Sequence, residues 1–369
     1  MRFSLEPASD HAEVEALWRG LEARTDATFF LTWRWIGAWL AETRSAPWLL
    51  CGRSGTEVVL LALLTVDRRR ELGVFPITTA RLHETGDPSE DTITIEYNNF
   101  LVSQAWRGPA DIAAIHFLLG GDHKMSIDEL RIRGAADGSV ALDADRWIVS
   151  APTRSPSWQV DLQAVRGSEK SYLDQLSSNT RQQIRRAMRL YEKQGDLSID
   201  KATDLESALD YFAGLKDLHQ RYWLARGKPG AFAHAFFEKF HDRIIRDCID
   251  TGNIEMVRIT AGDTVLGYLY NFIHDGYISS YQSGFAYQDD PKLKPGLISH
   301  SLCIQSHVNT DGKIYDFLAG GSQYKASLGH SGPDMVQYVM QRRDPKMHVW
   351  NAVRSAGRKV KAALHRQPG

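Results

Sequence analysis

The apolar positions change period several times along the chain, and each change marks an element. "RFSLEP" (2–7) alternates as a strand, and helical spacing follows over 10–24. A second helix is predicted over 32–42, where "WRWIGAWLAET" places Trp35, Ile36, Trp39 and Leu40 on one face. That face reads as packing surface rather than as a stack for an aromatic cofactor. Strands are predicted near 47–52, 57–66, 73–82 and 91–102, then a helix near 108–119 and a strand at 128–133. The stretch "SAPTRSPSWQV" (150–160), with Pro152, Pro156 and three serines, reads as a hinge between two patterned halves.

The second half has a related order. A strand "DLSIDKA" precedes two helices, 204–225 and 231–250. The strands "NIEMVRITAG", "VLGYLYNFIHDG" and "YISSYQSGFA" come next, then a helix near 296–309, a strand "KIYDFLA", a short helix around 321–328 and a strand pair near 334–343. The expected fold class is α/β (α+β), and the parallel order of the halves points to an internal duplication. Residues 1–152 form the expected N-terminal domain, 153–345 the C-terminal domain and 346–369 a basic tail.

Composition narrows the function classes. A chain of 369 residues is long for one core. With 44 Lys and Arg against 45 Asp and Glu, no global charge argues for DNA. No segment is long and apolar enough to span a bilayer, and the N-terminus lacks the pattern of an export signal, so a cytoplasmic location is expected. Cys51, Cys248 and Cys303 are scattered, and His234 and His241 lack matching carboxylates, so no metal site is expected. The tail carries Lys346, Arg354, Arg358, Lys359, Lys361 and Arg366 and no acid. It reads either as a solvated helix or as a peripheral contact with an anionic membrane surface.

The candidate chemistry begins at "KLKPGLISH" (292–300). A helix start presents N–H groups without internal partners, and its dipole adds positive potential. Gly296 would let a phosphate approach the backbone, Lys292 and Lys294 would add charge, and Leu297 and Ile298 continue the first turn. An ordinary strand-to-helix turn is the alternative. Further upstream, Arg181, Arg185 and Arg189 share one face of a helix, opposite Ile184, Ala187, Met188 and Tyr191. That face is either solvated or binds an anion.

The strand–loop–helix of residues 277–309 resembles the acyl-CoA-binding motif of the GNAT acyltransferase superfamily, although "KLKPGLI" keeps only one of that motif's small residues. "FLTWRWIGAWL" (30–40), "SSNTRQQIRRAMR" (177–189), "YQSGF" (281–285), "KPGLISH" (294–300) and "YDFLAGGSQYK" (315–325) occur in an order similar to that of the FemAB/CelD-type branch, over nearly all of residues 1–345. The resemblance implies tandem GNAT-like domains, each with a mixed, mostly antiparallel central sheet flanked by helices. It implies an N-acyltransferase using acetyl-CoA or another acyl-CoA, with the C-terminal domain doing the chemistry.

By the same resemblance, Gln282, Ser283, Gly284 and Phe285 meet the pantetheine arm. Asp316, Tyr324 and Lys325 lie beside the thioester, as base, acid for the CoA sulfur and charge stabiliser. Arg181 and Arg185 line the acceptor groove, and His219, Tyr222, Trp223 and Arg226 border it. The implied acceptor is a lipid- or nucleotide-linked amino sugar, or another small molecule, in envelope or exopolysaccharide biosynthesis. A FemX-like aminoacyl-tRNA-dependent enzyme and a non-catalytic GNAT pair remain the alternatives.

Overall fold

The computed structural model describes residues 1–71, 75–121 and 123–364. The first half runs β1 (Arg2–Pro7), α1 (His11–Glu22), α2 (Trp33–Glu42), β2 (Trp48–Ser54), β3 (Glu57–Glu71), β4 (Phe75–Leu82), β5 (Leu101–Val102), α3 (Pro109–Gly120), β6 (Glu129–Ala136), β7 (Ile148–Val149) and β8 (Thr153–Ser155). The chain continues with β9 (Ser157–Asp161), α4 (Leu162–Arg166), α5 (Tyr172–Gln175), α6 (Ser178–Tyr191), β10 (Leu197–Lys201), α7 (Leu205–Leu224) and α8 (Ala235–Cys248). It ends with β11 (Ile254–Ala261), β12 (Thr264–His274), β13 (Tyr277–Phe285), α9 (Pro295–Val308), β14 (Ile314–Ala319), α10 (Gln323–Leu328), β15 (His330–Ser331), β16 (Met335–Gln341) and α11 (Pro345–Leu364).

Local chemistry sets many of these boundaries. Asp10, Ser177 and Asp204 cap α1, α6 and α7 by accepting backbone N–H bonds from the residue three ahead. Pro109 opens α3 after Gly108, whose φ of 83° few other residues adopt at low cost.

Two sheets result. The first has the order β1-β2-β3-β4-β6-β16-β7, with β5 on β3 and β8 on β16; the second has β10-β11-β12-β13-β14-β9-β15. In each, four antiparallel strands lead to one parallel pair, β4 with β6 and β13 with β14. Each parallel pair has a helix, α3 or α9, in its connection. The duplicated order read from the sequence is therefore matched by topology.

The expected domain limits need correction. β16 lies beside β6 in the first sheet, not in the second, and only one strand occupies 334–343 within that pairing. β8, at the start of the expected C-terminal domain, also joins the first sheet through β16, whereas β9 joins β14 in the second. The two crossings run side by side: Ser157 is fully buried, its Oγ donates to the Pro333 carbonyl at 2.7 Å, and Gly332 N–H donates to Ser157 O at 3.0 Å. The first sheet thus closes with β16, a strand supplied by the far end of the chain, while the second is built wholly from residues 157–331.

The predicted strand over 91–102 is also corrected, since only Leu101–Val102 is extended and paired. Asn98 spends its side chain on the carbonyls of Leu82 and Arg133 at 2.9 and 3.0 Å, and Tyr97 sits at a φ of 53°. Tertiary partners override the strand preference of "TITIEY". Part of the strand predicted over 73–82 lies outside the described residues, as do Arg366 and the side chains of Arg358, Lys359 and Lys361. α11 buries Met347 and Trp350 against Ile77 of the first sheet and leaves Val349 and Val353 exposed.

The halves share one aromatic core. Phe29 stacks on Phe272 with ring centres 4.3 Å apart, and Trp35 meets Phe240 edge-on at 4.8 Å. The α2 face read as packing surface does pack, but against the other half. Glu42 of α2 pairs with Lys239 at 2.6 Å and with Arg243 of α8. No helix among the described residues is long and apolar enough to cross a membrane.

α7 lies directly on β13 at Gly284, where a Cβ would stand 2.4 Å from the Leu215 carbonyl oxygen. The Gly284→Ala variant is expected to lose about 1–3 kcal/mol of stability through forced repacking. Urea unfolding of both proteins reads this directly, and an unchanged midpoint would refute the close approach.

Candidate active site

The parallel ladder of β13 and β14 is short. It holds Tyr277 opposite Ile314, Ile278 opposite Tyr315 and Ser279 opposite Asp316, and then ends. β13 continues along β12 as far as Phe285, while β14 turns with β9, whose register breaks after Asp316. Leu318, at a φ of 60°, completes the bend. The edge of residues 280–285 that faces β14 is therefore no longer used by that strand. A β-bulge at Tyr281 accompanies the parting.

On one side of this wedge lies a cavity of about 280 Å³. Lys294, Gly296 and Leu297 at the start of α9 form one wall, and Phe285 and Tyr287 form another. α10 contributes Tyr324, and α6 contributes Asn179, Thr180 and Gln183. Pro295 has no N–H to leave unpaired, and no described side chain caps α9. The first free amides, those of Gly296 and Leu297, thus sit at the cavity wall. A Cβ on Gly296 would stand 3.2 Å from the Phe285 ring.

Several expected cofactor contacts lie elsewhere. Lys292 is exposed, its N–H turned to Asp290 at 2.8 Å, and Ile298 is wholly buried in the core. Gly284 is a helix-packing position. Gln282 accepts the Ser283 N–H at 3.0 Å, and the Ser283 carbonyl receives His219 Nδ1 at 3.3 Å.

The expected catalytic trio is split. Tyr324 faces the cavity and stacks on the buried His300, ring centres 5.4 Å apart. Burial raises its pKa above the usual phenol value, further from a thiol rather than nearer. Asp316 and Lys325 face the other half instead. Asp316 accepts the Tyr97 hydroxyl and, at 2.7 Å, the Leu318 N–H. Burial raises the Asp316 pKa against the opposing pull of Tyr97, Leu318 and Lys325. The Lys325 ammonium donates to the carbonyls of Phe317 and Ala319 at 2.6 and 2.8 Å, pinning the bend of β14. Glu96 accepts the Ala319 N–H at 2.8 Å, and burial lifts its pKa to about 7. Glu96 and Tyr97 escaped the sequence reading because their segment was read as an ordinary strand.

The acceptor assignments also change. Arg181, half-buried, donates to the Asp174 carbonyl at 3.1 Å, and the exposed Arg185 pairs with the Asp174 carboxylate at 2.8 Å; neither lines the cavity. α6 buries Ile184, Ala187 and Tyr191, turns Asn179 and Gln183 to the cavity, and leaves the arginines to an acid supplied by α5. His219 is buried; its Nε2 accepts the Ala231 N–H at 3.3 Å, so it tethers a loop to β13. Trp223 leans on His219 at 6.0 Å. Tyr222 packs against Tyr287 at 5.0 Å with the Arg226 guanidinium 3.6 Å above it, which places this pair at the mouth of the cavity.

One group among the described residues has metal-ligand character that the sequence reading missed. Glu255, Cys303 and His307 are buried with donor atoms within 4.8 Å of one another. Cys303 and His307 are one helical turn apart on α9, and Glu255 comes from β11. Glu255 is already held by His307 at 2.9 Å and Lys201 at 2.5 Å; burial works to raise its pKa, but these two hold it down at about 2. The arrangement is a satisfied ion-pair network as it stands.

Residues 178–326 match the family "Acetyltransferase (GNAT) domain". Among solved structures, FemX aligns over 92% of this chain and 97% of its own, at 11% identity and a TM-score of 0.58. A conserved protein of unknown function from Bacteroides thetaiotaomicron aligns over 89% and 97%, at 10% identity and a TM-score of 0.52. No curated protein matches the chain. The whole chain therefore shares the fold of FemX. It carries a GNAT acyltransferase domain in its second half, the half that holds the wedge and the cavity.

Because the pKa of Glu96 rises from an ordinary 4.5 to about 7, the folded protein binds this proton more tightly than the unfolded chain. The resulting stability is complete below pH 4.5 and is lost as pH rises through about 7. Glu96→Gln keeps an acceptor for Ala319 and removes the titration. Thermal melts at pH 5 and pH 8 are expected to show a smaller fall in midpoint for the variant than for the unaltered protein; equal falls would refute the shift.

Proposed function

We propose that the protein is an acyl-CoA-dependent N-acyltransferase, using acetyl-CoA in the first instance. Its acceptor is the amine of a carrier-linked amino sugar, or a similar anionic acceptor, in envelope or exopolysaccharide biosynthesis. The observation that carries the reading is the uncapped start of α9 at the cavity wall beside the parted strands. Two backbone amides, the helix dipole and Lys294 suit a diphosphate. The free edge of β13 suits the amide groups of a pantetheine arm running toward Asp316.

The chemistry needs no covalent enzyme intermediate. The neutral amine attacks the thioester carbonyl, a C–N bond forms, and the tetrahedral oxyanion collapses with loss of the C–S bond. Asp316 takes the amine's proton; burial makes it a stronger base than an exposed carboxylate. Tyr324, kept protonated by burial, donates a hydrogen bond to the departing thiolate, which takes its proton from solvent.

Calorimetry with acetyl-CoA is expected to show micromolar binding, abolished in Gly296→Glu, which brings a carboxylate to the diphosphate position. Circular dichroism of the variant checks that its fold is intact. With an amino sugar acceptor, Asp316→Asn and Tyr324→Phe are each expected to slow turnover by ~10²-fold or more. Failure of every acyl-CoA to bind refutes the reading. Binding of aminoacyl-tRNA in its place would make the chain an aminoacyltransferase, and binding of neither would leave a non-catalytic pair.

A further inference from the structure

A second cavity, of about 370 Å³, lies in the first half, within the ~300–1,000 Å³ range of small-molecule sites. It is bounded by the loop before α2, the start of α3 and the turn after β6. Three of its lining side chains carry buried polar atoms with no hydrogen-bond partner: Thr28 Oγ1, Asp111 Oδ1 and Ser139 Oγ. Asp111 is 1% exposed, and its carboxylate is held only loosely, by a long 3.3 Å bond from the Gly108 N–H at the start of α3 and by the Ala141 N–H. A buried polar atom without a partner costs stability, and three around one cavity ask for a ligand that supplies the missing bonds.

The cavity also touches the acyl-transfer machinery. Tyr97 lines it, and the Tyr97 hydroxyl is the group bound to Asp316. The cavity at α9 reaches the same network from the other side, through Tyr324, the neighbour of Lys325. Asp316 itself is buried and lines neither cavity; Tyr97 links it to the second one.

We infer that the cavity lined by Thr28, Asp111 and Ser139 holds the hydroxyl-bearing ring of the acceptor, an amino sugar, with its amine directed past Tyr97 toward Asp316. This rests on the acyl-transfer reading for its purpose but not for its test. A carboxylate and two hydroxyls arranged around a sugar-sized space accept and share hydroxyl protons, while the Phe100 ring offers an apolar surface to the ring's C–H face. The Asp26–Arg107 ion pair, exposed at the edge, leaves room for a carrier to extend into solvent. Burial raises the Asp111 pKa to about 6, so the carboxylate is mostly ionised at neutral pH and bonds strongly to hydroxyl donors.

The test uses the full chain and D-glucosamine, by calorimetry without any acyl-CoA present. The unaltered protein is expected to bind. Asp111→Asn, nearly isosteric, is expected to weaken binding roughly 10-fold or more, and Ser139→Ala by a few-fold. Acetyl-CoA affinity should be unchanged in both variants, which also reports that they fold. Glucosamine binding that is absent from the unaltered protein, or equal in Asp111→Asn and Ser139→Ala, overturns the inference. Loss of acetyl-CoA binding in the unaltered protein would sink the acyl-transfer reading and leave the cavity's result standing.

Discussion

The ladder between β13 and β14 stops after three residue pairs, and the site follows from that stop. A longer ladder would close the sheet and leave no edge for a ligand. The stop is enforced at Asp316, the last paired residue of β14. Its carboxylate holds the Leu318 N–H at the left-handed turn, while the Lys325 ammonium clamps the carbonyls on either side of Leu318. A buried charge is costly unless bonded; here its bonds are the ones that bend the strand.

Those bonds reach across the molecule. Tyr97 and Glu96, from the first half, complete the network by binding Asp316 and the Ala319 amide. The two halves are already fastened by β16, which returns to the first sheet, and by the aromatic core around Phe29, Trp35 and Phe272. A fixed relation between the halves is what allows a residue of one to set the geometry and protonation of a carboxylate in the other. The first half is therefore tied to the bend of β14 through Tyr97 and Glu96.

Much of this was legible beforehand. Strong periodicity located α1, α2, α7, α9 and β10–β14, because amphipathic and buried elements repeat at the period of their own backbone. The glycine at 296 located the helix start that lines the cavity, since Pro and Gly together mark such a turn. The arginines of α6 misled because a shared face on a helix says nothing about what stands opposite it, and Asp174 stands there. Gly284 was read as a ligand contact because sequence cannot distinguish a bulge or a ligand approach from a helix laid on the strand.

The sequence alone determined the local elements, their order in each half and the position of the helix mouth, because these depend on side-chain period and backbone permissiveness within a few residues. Tertiary structure alone decided that β16 returns to the first sheet, that Tyr97 meets Asp316 and that Glu96 meets the Ala319 amide. It also decided that Glu255, Cys303 and His307 converge. These partners are separated by up to 223 positions. Strand pairing and buried charge are satisfied by whichever group the packed chain brings near, and no local pattern encodes that choice.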